Sequence, residues 1–167
     1  NCDWSSDVCS SDLLSICDVQ LKGLELLDFN KRTFEQFVPK GEGQLKLPIN
    51  SFIDDNGITY VADVDRHQVV VFDFDKNYIR AFGDTGNFKP TDVFVYGDRV
   101  YVTDSRNNKV NVYRKGFLNE IDYFPKVDKS DSGYLYQPTN LFVTKDKIYV
   151  SDFGDFKIKI YNHKGEF

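Results

Sequence analysis

One pattern returns three times along this 167-residue chain. Pro48, Pro90 and Pro138 each open a stretch in which a Tyr-Val pair precedes a small residue and an Asp. These are Tyr60-Val61-Ala62-Asp63, Tyr101-Val102-Thr103-Asp104 and Tyr149-Val150-Ser151-Asp152. An aromatic closes the next apolar run each time, at Phe72, Tyr113 and Tyr161. The three prolines lie 42 and then 48 residues apart. A partial copy comes first, with Cys17-Asp18 in the small-Asp position. Within each copy apolar residues alternate over short runs, and turn residues such as Asp54-Asp55-Asn56-Gly57 break them. That is the pattern of short antiparallel strands. No helical periodicity competes with it.

The strand containing the Tyr-Val pair is apolar or small on both faces. Thr59, Val61 and their counterparts lie on one side, Tyr60, Ala62 and theirs on the other. Such a strand has to be covered twice. One four-stranded sheet cannot do this for itself, but like sheets stacked around an axis cover one another in turn. A period of about 40 to 50 residues with four strands per copy predicts an all-β propeller. A β-sandwich would not return the same columns in every copy. The expected blades are 14–46, 47–88, 89–136 and 137–167, about three and a half four-stranded units in an open arc.

Residues 2–13, CDWSSDVCSSDL, stand apart in composition and resemble the translation of a common sequencing-library adapter. Residues 1–13 are therefore set aside as adapter-derived and expected to be disordered, and an environmental assembly with a bacterial source is the corresponding expectation. Without Asp3, Asp7 and Asp12 the 26 acidic residues become 23 against 21 basic ones, a net charge of −2 that implies no class of partner. Without Cys2 and Cys9 only Cys17 remains, which supports neither a metal site nor a disulfide framework. The chain holds no Met, so its start, with any signal or anchor, is expected to lie upstream. No run of 18 apolar residues exists to form a membrane-spanning helix.

The columns resemble those of the NHL-repeat family, whose repeat opens on Pro, carries a Tyr-Val-small-Asp strand and often ends in Phe-Gly. Here Pro48 is followed by YVAD, VVVFD and Phe82-Gly83, Pro90 by YVTD and VNVY, and Pro138 by YVSD and IKIY. The likeness spans 14–167. The second copy departs from it, lacking Phe-Gly and inserting FPKVDKSDSGYLY before Pro138. The resemblance implies a ring of about six blades and a non-catalytic binding or scaffold module for a protein, peptide or carbohydrate. Propellers of this type are often exported, so export is the expectation that analogy carries for a compartment the residues leave open.

Three residue sets are candidates for chemistry. The recurrent Asp18, Asp63, Asp104 and Asp152 end strands and are expected to accept hydrogen bonds from turn N–H groups rather than to ring a metal. The loops that follow vary while the strands do not, which marks Asp65, Arg66, His67, Arg106, Asn107, Asp155 and Phe156 as a ligand-binding rim. Asn50, Asp92 and Asn140 sit two places after each Pro and are expected to line the axis. Lactonases of the gluconolactonase or paraoxonase type resemble such propellers and hold calcium there. That makes a calcium-dependent hydrolase the alternative reading, with calcium as the only cofactor considered. An RNA-binding face built from Arg66, Arg106, Lys109 and Lys157 is a second alternative, opposed by Asp65 and Asp155 in the same loops. His67 and His163 fall in loops at opposite strand ends, roughly 17–20 Å apart, and cannot share a zinc ion.

Overall fold

A computed structural model describes residues 13–167. The adapter-like segment lies outside the described residues except for Leu13, which begins the first strand. Among the described residues the chain is all-β, with fourteen strands in four antiparallel sheets and no helix beyond a 3₁₀ turn at Gly41–Gly43. The first sheet holds β1 (Leu13–Asp18), β2 (Gly23–Asp28) and β3 (Thr33–Phe37). The second holds β4 (Pro48–Ile53), β5 (Thr59–Asp63), β6 (Gln68–Phe72) and β7 (Tyr78–Phe82). β8 (Pro90–Tyr96), β9 (Arg99–Asp104), β10 (Lys109–Arg114) and β11 (Glu120–Phe124) form the third. The fourth has β12 (Pro138–Val143), β13 (Ile148–Asp152) and β14 (Lys157–Tyr161). Each sheet is a simple meander in chain order. No helix in the described residues is long and apolar enough to cross a membrane.

Packing follows from the doubly apolar strands. Three separate cores lie between successive sheets. Leu24, Leu26, Val61, Val70 and Phe72 join the first sheet to the second. Val69, Val71, Val93, Val95, Val100, Val102 and Tyr113 join the second to the third. Tyr101, Val110, Val112, Leu141, Ile148, Val150 and Tyr161 join the third to the fourth. Val61 and Val70 therefore serve one core while Val69 and Val71, on the opposite face of the same sheet, serve the next. Val61, Val102 and Val150 are fully buried, and each stabilises the stack by about 1.5–3 kcal/mol. The linkers add one more buried apolar side chain per junction, Leu45, Phe88 and Leu135. The stack is open. Ile158 and Ile160 on the outer face of the fourth sheet remain 67% and 41% exposed, where Val69 and Val71 at the same places are covered.

The innermost strands β4, β8 and β12 pack side by side, and the same irregularity opens each of them. Register slips between Pro48 and Asn50, between Pro90 and Asp92, and between Pro138 and Asn140, leaving Ile49, Thr91 and Thr139 unpaired. A bulge of this kind re-aims the side chain that follows. It turns Asn50 and Asp92 toward the neighbouring inner strand. Two residues further on, Phe52, Phe94 and Phe142 stack in succession, with ring centroids 4.6 Å and 5.3 Å apart. The same position of three consecutive repeats thus forms one aromatic ladder at the hub.

Candidate binding surface at the hub and the loop rim

The recurrent Asp residues hold the linkers. Asp63 is fully buried and accepts the backbone N–H groups of Lys46 (2.6 Å), Leu47 (3.0 Å) and Arg66 (3.0 Å). Lys46 and Leu47 immediately precede Pro48, so one carboxylate ties the end of β5 to the entry of β4 and to its own turn. Asp104 does the same with Lys89, Arg106 and Asn107. Asp152 takes Tyr136 and Gln137 ahead of Pro138. Among the described residues Asp18 accepts from its own turn, at Gln20 and Leu21. Four residues after each of these Asp the backbone is left-handed, with φ of 54° at Lys22, 55° at His67, 56° at Asn108 and 53° at Phe156. The four turns are therefore built alike, although glycine stands at none of these places.

On that common frame the rim residues diverge. The Arg66 guanidinium donates to the carbonyls of Glu42 (2.8 Å) and Gln44 (2.6 Å) in the linker, and Arg106 donates to Gly86 O (3.0 Å). Asn107 Nδ2 reaches Asn87 O and Asp104 Oδ2. His67 Nδ1 bonds Phe88 O at 2.7 Å. Arg66, His67, Arg106 and Asn107 are thus engaged with backbone carbonyls of the linkers, and only Asp65 in the second sheet's turn points freely into solvent. The fourth sheet's turn differs. Phe153 and Phe156 are 59% and 84% exposed and touch each other, with centroids 5.5 Å apart. Asp155 pairs with Lys157 (3.2 Å) and Lys159 (3.0 Å), and the hydrogen bond from Lys159 leads the interactions that hold its carboxyl below the usual range.

Lys159 is the feature that the sequence pattern hid. It occupies the β14 place that Val70 holds in β6 and Asn111 in β10. It is only 2% exposed, paired with the buried Asp152 at 3.2 Å and bonded to the Tyr134 carbonyl, with its ammonium over the Tyr136 ring. The thirteen-residue insertion before Pro138 supplies Tyr134 and Tyr136, so insertion and buried lysine form one unit. A lysine between Ile158 and Ile160 reads in sequence as a solvent-facing residue, and only its fold partners show otherwise.

At the hub, Asp92 links three inner strands. Its Oδ1 accepts Asn50 Nδ2 (2.6 Å) and Val93 N (2.8 Å), and its Oδ2 accepts Leu141 N (2.7 Å). A carboxylate offers about four lone-pair sites, and three of those of Asp92 are taken by protein donors. Burial nevertheless dominates and pushes its carboxyl up to about 6. Calcium takes roughly six to eight oxygen ligands. This trio offers one carboxylate, already engaged by three donors, and turns the amide nitrogen of Asn50 toward it, while Asn50 Oδ1 accepts from Ser51 N. In this arrangement Asn50, Asp92 and Asn140 do not fit a calcium ion. The histidines stand apart, since His163 bonds Thr144 O through Nε2 and stacks on Tyr96.

Comparison with solved structures places this geometry among β-propellers. A streptogramin B lyase superposes with a TM-score of 0.70 at 8% identity, over 92% of this chain and 49% of that one. A catalytically inactive virginiamycin B lyase from Staphylococcus aureus with quinupristin gives 0.72 at 8% identity, over 96% and 52%. A chain of a nidogen/laminin complex gives 0.70 at 13% identity, over 89% and 54%. The chain spans about half the length of these propellers. No protein-family model and no curated protein sequence matches it.

Proposed function

We propose that this chain is part of an NHL-type propeller that binds a protein, peptide or carbohydrate on the rim formed by the turns after β5, β9 and β13. The observation that carries this reading is the exposed Phe153–Phe156 pair. Phe153, one place after Asp152, projects from a turn whose counterparts are tied to the preceding linkers, and Phe156 holds the place from which His67 and Asn108 meet the following linker. Exposed aromatics clustered in this way are typical contact anchors. Propeller neighbours include a lyase and a chain in a protein complex, so the fold itself does not choose between catalysis and binding.

The calcium-dependent hydrolase is the less favoured reading because Asp92 is engaged by three protein donors and Asn50 turns its amide nitrogen toward it, and RNA binding because both rim arginines are bonded within the chain. The test is a peptide and glycan array probed with the chain and with a Phe153→Ala, Phe156→Ala double variant. A ligand retained by the chain and lost in the double variant supports the rim. Binding indifferent to both substitutions, or lactone hydrolysis that requires calcium, defeats the reading.

A further inference from the structure

A cavity of about 370 Å³ lies between the second and third sheets, at the same end as the rim turns. Asn111 and Tyr113 of β10 line it, Asp84 comes from the linker after β7, Asp104 from the end of β9, and Glu120 from β11. Glu120 stands opposite Tyr113 in the strand register, so both face the same space. Burial drives the Tyr113 hydroxyl up, and Glu120, Asp104 and Asp84 push the same way, so three carboxylate fields converge on it. One ammonium, that of Lys109, shares the lining, and it lies over the Tyr123 ring at 4.7 Å instead of pairing with a carboxylate.

An independent observation points to a ligand. Asn111 is 3% exposed, and its Nδ2 donates to the Tyr113 oxygen at 3.3 Å while its Oδ1 has no partner at all. A buried acceptor with no donor destabilises a fold, and nothing in the repeat demands it. The second sheet places Val70 at this position and packs it without penalty. The cavity therefore has an acceptor awaiting a donor beneath a group of negative charges.

The donor is an extended one. The carboxylates do not gather into a group that could hold a metal ion among the described residues. Asp104 already accepts several donors from its own turn and linker, and Asp84 accepts Gly86 N through Oδ1. The second oxygen of Asp84 and the Glu120 carboxylate, both on exposed residues, and the buried Asn111 Oδ1 remain as separate acceptors. A guanidinium presents several N–H donors in a flat, permanently charged fork and reaches separate acceptors as a point charge cannot. We propose that this cleft between the second and third sheets binds a guanidinium group, as carried by an arginine side chain. The inference rests on the reading of this end of the propeller as its ligand face and names the chemistry it selects.

The test is calorimetric titration of the whole chain with free arginine and with an acetylated, amidated Gly-Arg-Gly peptide, against the citrulline peptide and calcium chloride alone. Binding of the arginine peptide with a Kd of about 1 mM or tighter, weakened by salt and absent for citrulline, is expected. Equal binding of free arginine identifies a free-metabolite site, and preference for the peptide identifies a peptide site; both support guanidinium recognition. Asn111→Val installs the second sheet's residue. It should lower affinity at least about tenfold while raising the urea midpoint, a pairing that a purely structural asparagine would not give. Glu120→Gln should weaken binding and flatten its salt dependence. Equal binding of citrulline, unchanged affinity in Asn111→Val, a lowered midpoint in that variant, or saturable calcium binding in place of arginine would each overturn the proposal. Lys145→Ala, on the exposed turn between β12 and β13, should leave arginine affinity unchanged. The rim is tested separately by the Phe153→Ala, Phe156→Ala double variant. A ligand lost in that double variant but kept by Asn111→Val would leave the rim standing and remove this site alone.

Discussion

Replacing Asp63 by Asn changes one oxygen to NH₂ and should still unfasten a junction between blades. In the native arrangement Asp63 Oδ2 accepts Lys46 N at 2.6 Å, and Oδ1 accepts Leu47 N and Arg66 N at 3.0 Å. The carboxylate is fully buried, so water cannot replace it. Asparagine keeps one oxygen, which can serve Leu47 and Arg66 through neutral bonds, each weaker than a charge-assisted one by about 1 kcal/mol. Its NH₂ then faces the Lys46 N–H, donor against donor, losing a bond of about 1.5–3 kcal/mol and leaving both groups unsatisfied. Relief of the buried charge offsets part of this, and a net loss of about 3 kcal/mol remains. With a urea slope of about 1–3 kcal/mol per molar, the midpoint should fall by about 1–3 M, followed by far-UV circular dichroism. Asp65→Asn, two residues along and exposed, should stay within about 0.5 kcal/mol. If the two variants unfold together, the carboxylate does not fasten linker to strand, and the account of why Asp recurs in every copy is wrong.

Asp92 makes stability depend on pH in the direction opposite to most carboxylates. Its folded pKa of about 6 lies above the ordinary 3.8, so the folded chain binds the proton more tightly. Its contribution is full near pH 4 and is lost as pH rises through 6, by about 3 kcal/mol. The wild-type stability minus that of Asp92→Asn, measured from pH 4 to 7, should fall accordingly, and a flat difference contradicts the buried charge. Lys159→Met should cost about 3 kcal/mol in thermal melts because it leaves Asp152 buried without its cation. Lys157→Met, removing an exposed partner of Asp155, should cost under about 0.5 kcal/mol. Burial pushes the Cys17 thiol up to about 11 from 9.0, so peptide-resolved iodoacetamide labelling at pH 8 should run about 100-fold slower than for an unfolded control. Equal rates would place Cys17 in solvent.

The blade architecture was readable because its signals are local and repeated. Pro before the inner strand, a doubly apolar Tyr-Val strand and an aromatic ending the next strand each recur at one place, and each answers to a face that has to be covered. The polar column at Asn50, Asp92 and Asn140 was also readable, but what it does was not. Its bonding depends on bulges at Ile49, Thr91 and Thr139, and no residue type announces a bulge. Arg66 and Arg106 looked like contact residues because charge on a variable loop usually faces solvent. Their carbonyl partners lie some twenty residues away, on linkers whose path the sequence does not reveal. Lys159 was hidden for a similar reason, since its partners come from an insertion unique to one junction. The Phe52, Phe94 and Phe142 column could have been seen, four residues after each Pro, as a hydrophobic position on the inner strand.

That column also offers the most direct test of radial order. Aromatic-resolved NOE spectroscopy on chain with labelled phenylalanine should show cross-peaks between Phe52 and Phe94 and between Phe94 and Phe142, whose rings lie 4.6 Å and 5.3 Å apart, and none between Phe52 and Phe142. Two sheets folded face to face would break that succession, and the absence of either neighbouring cross-peak would contradict a stack of blades about a common hub.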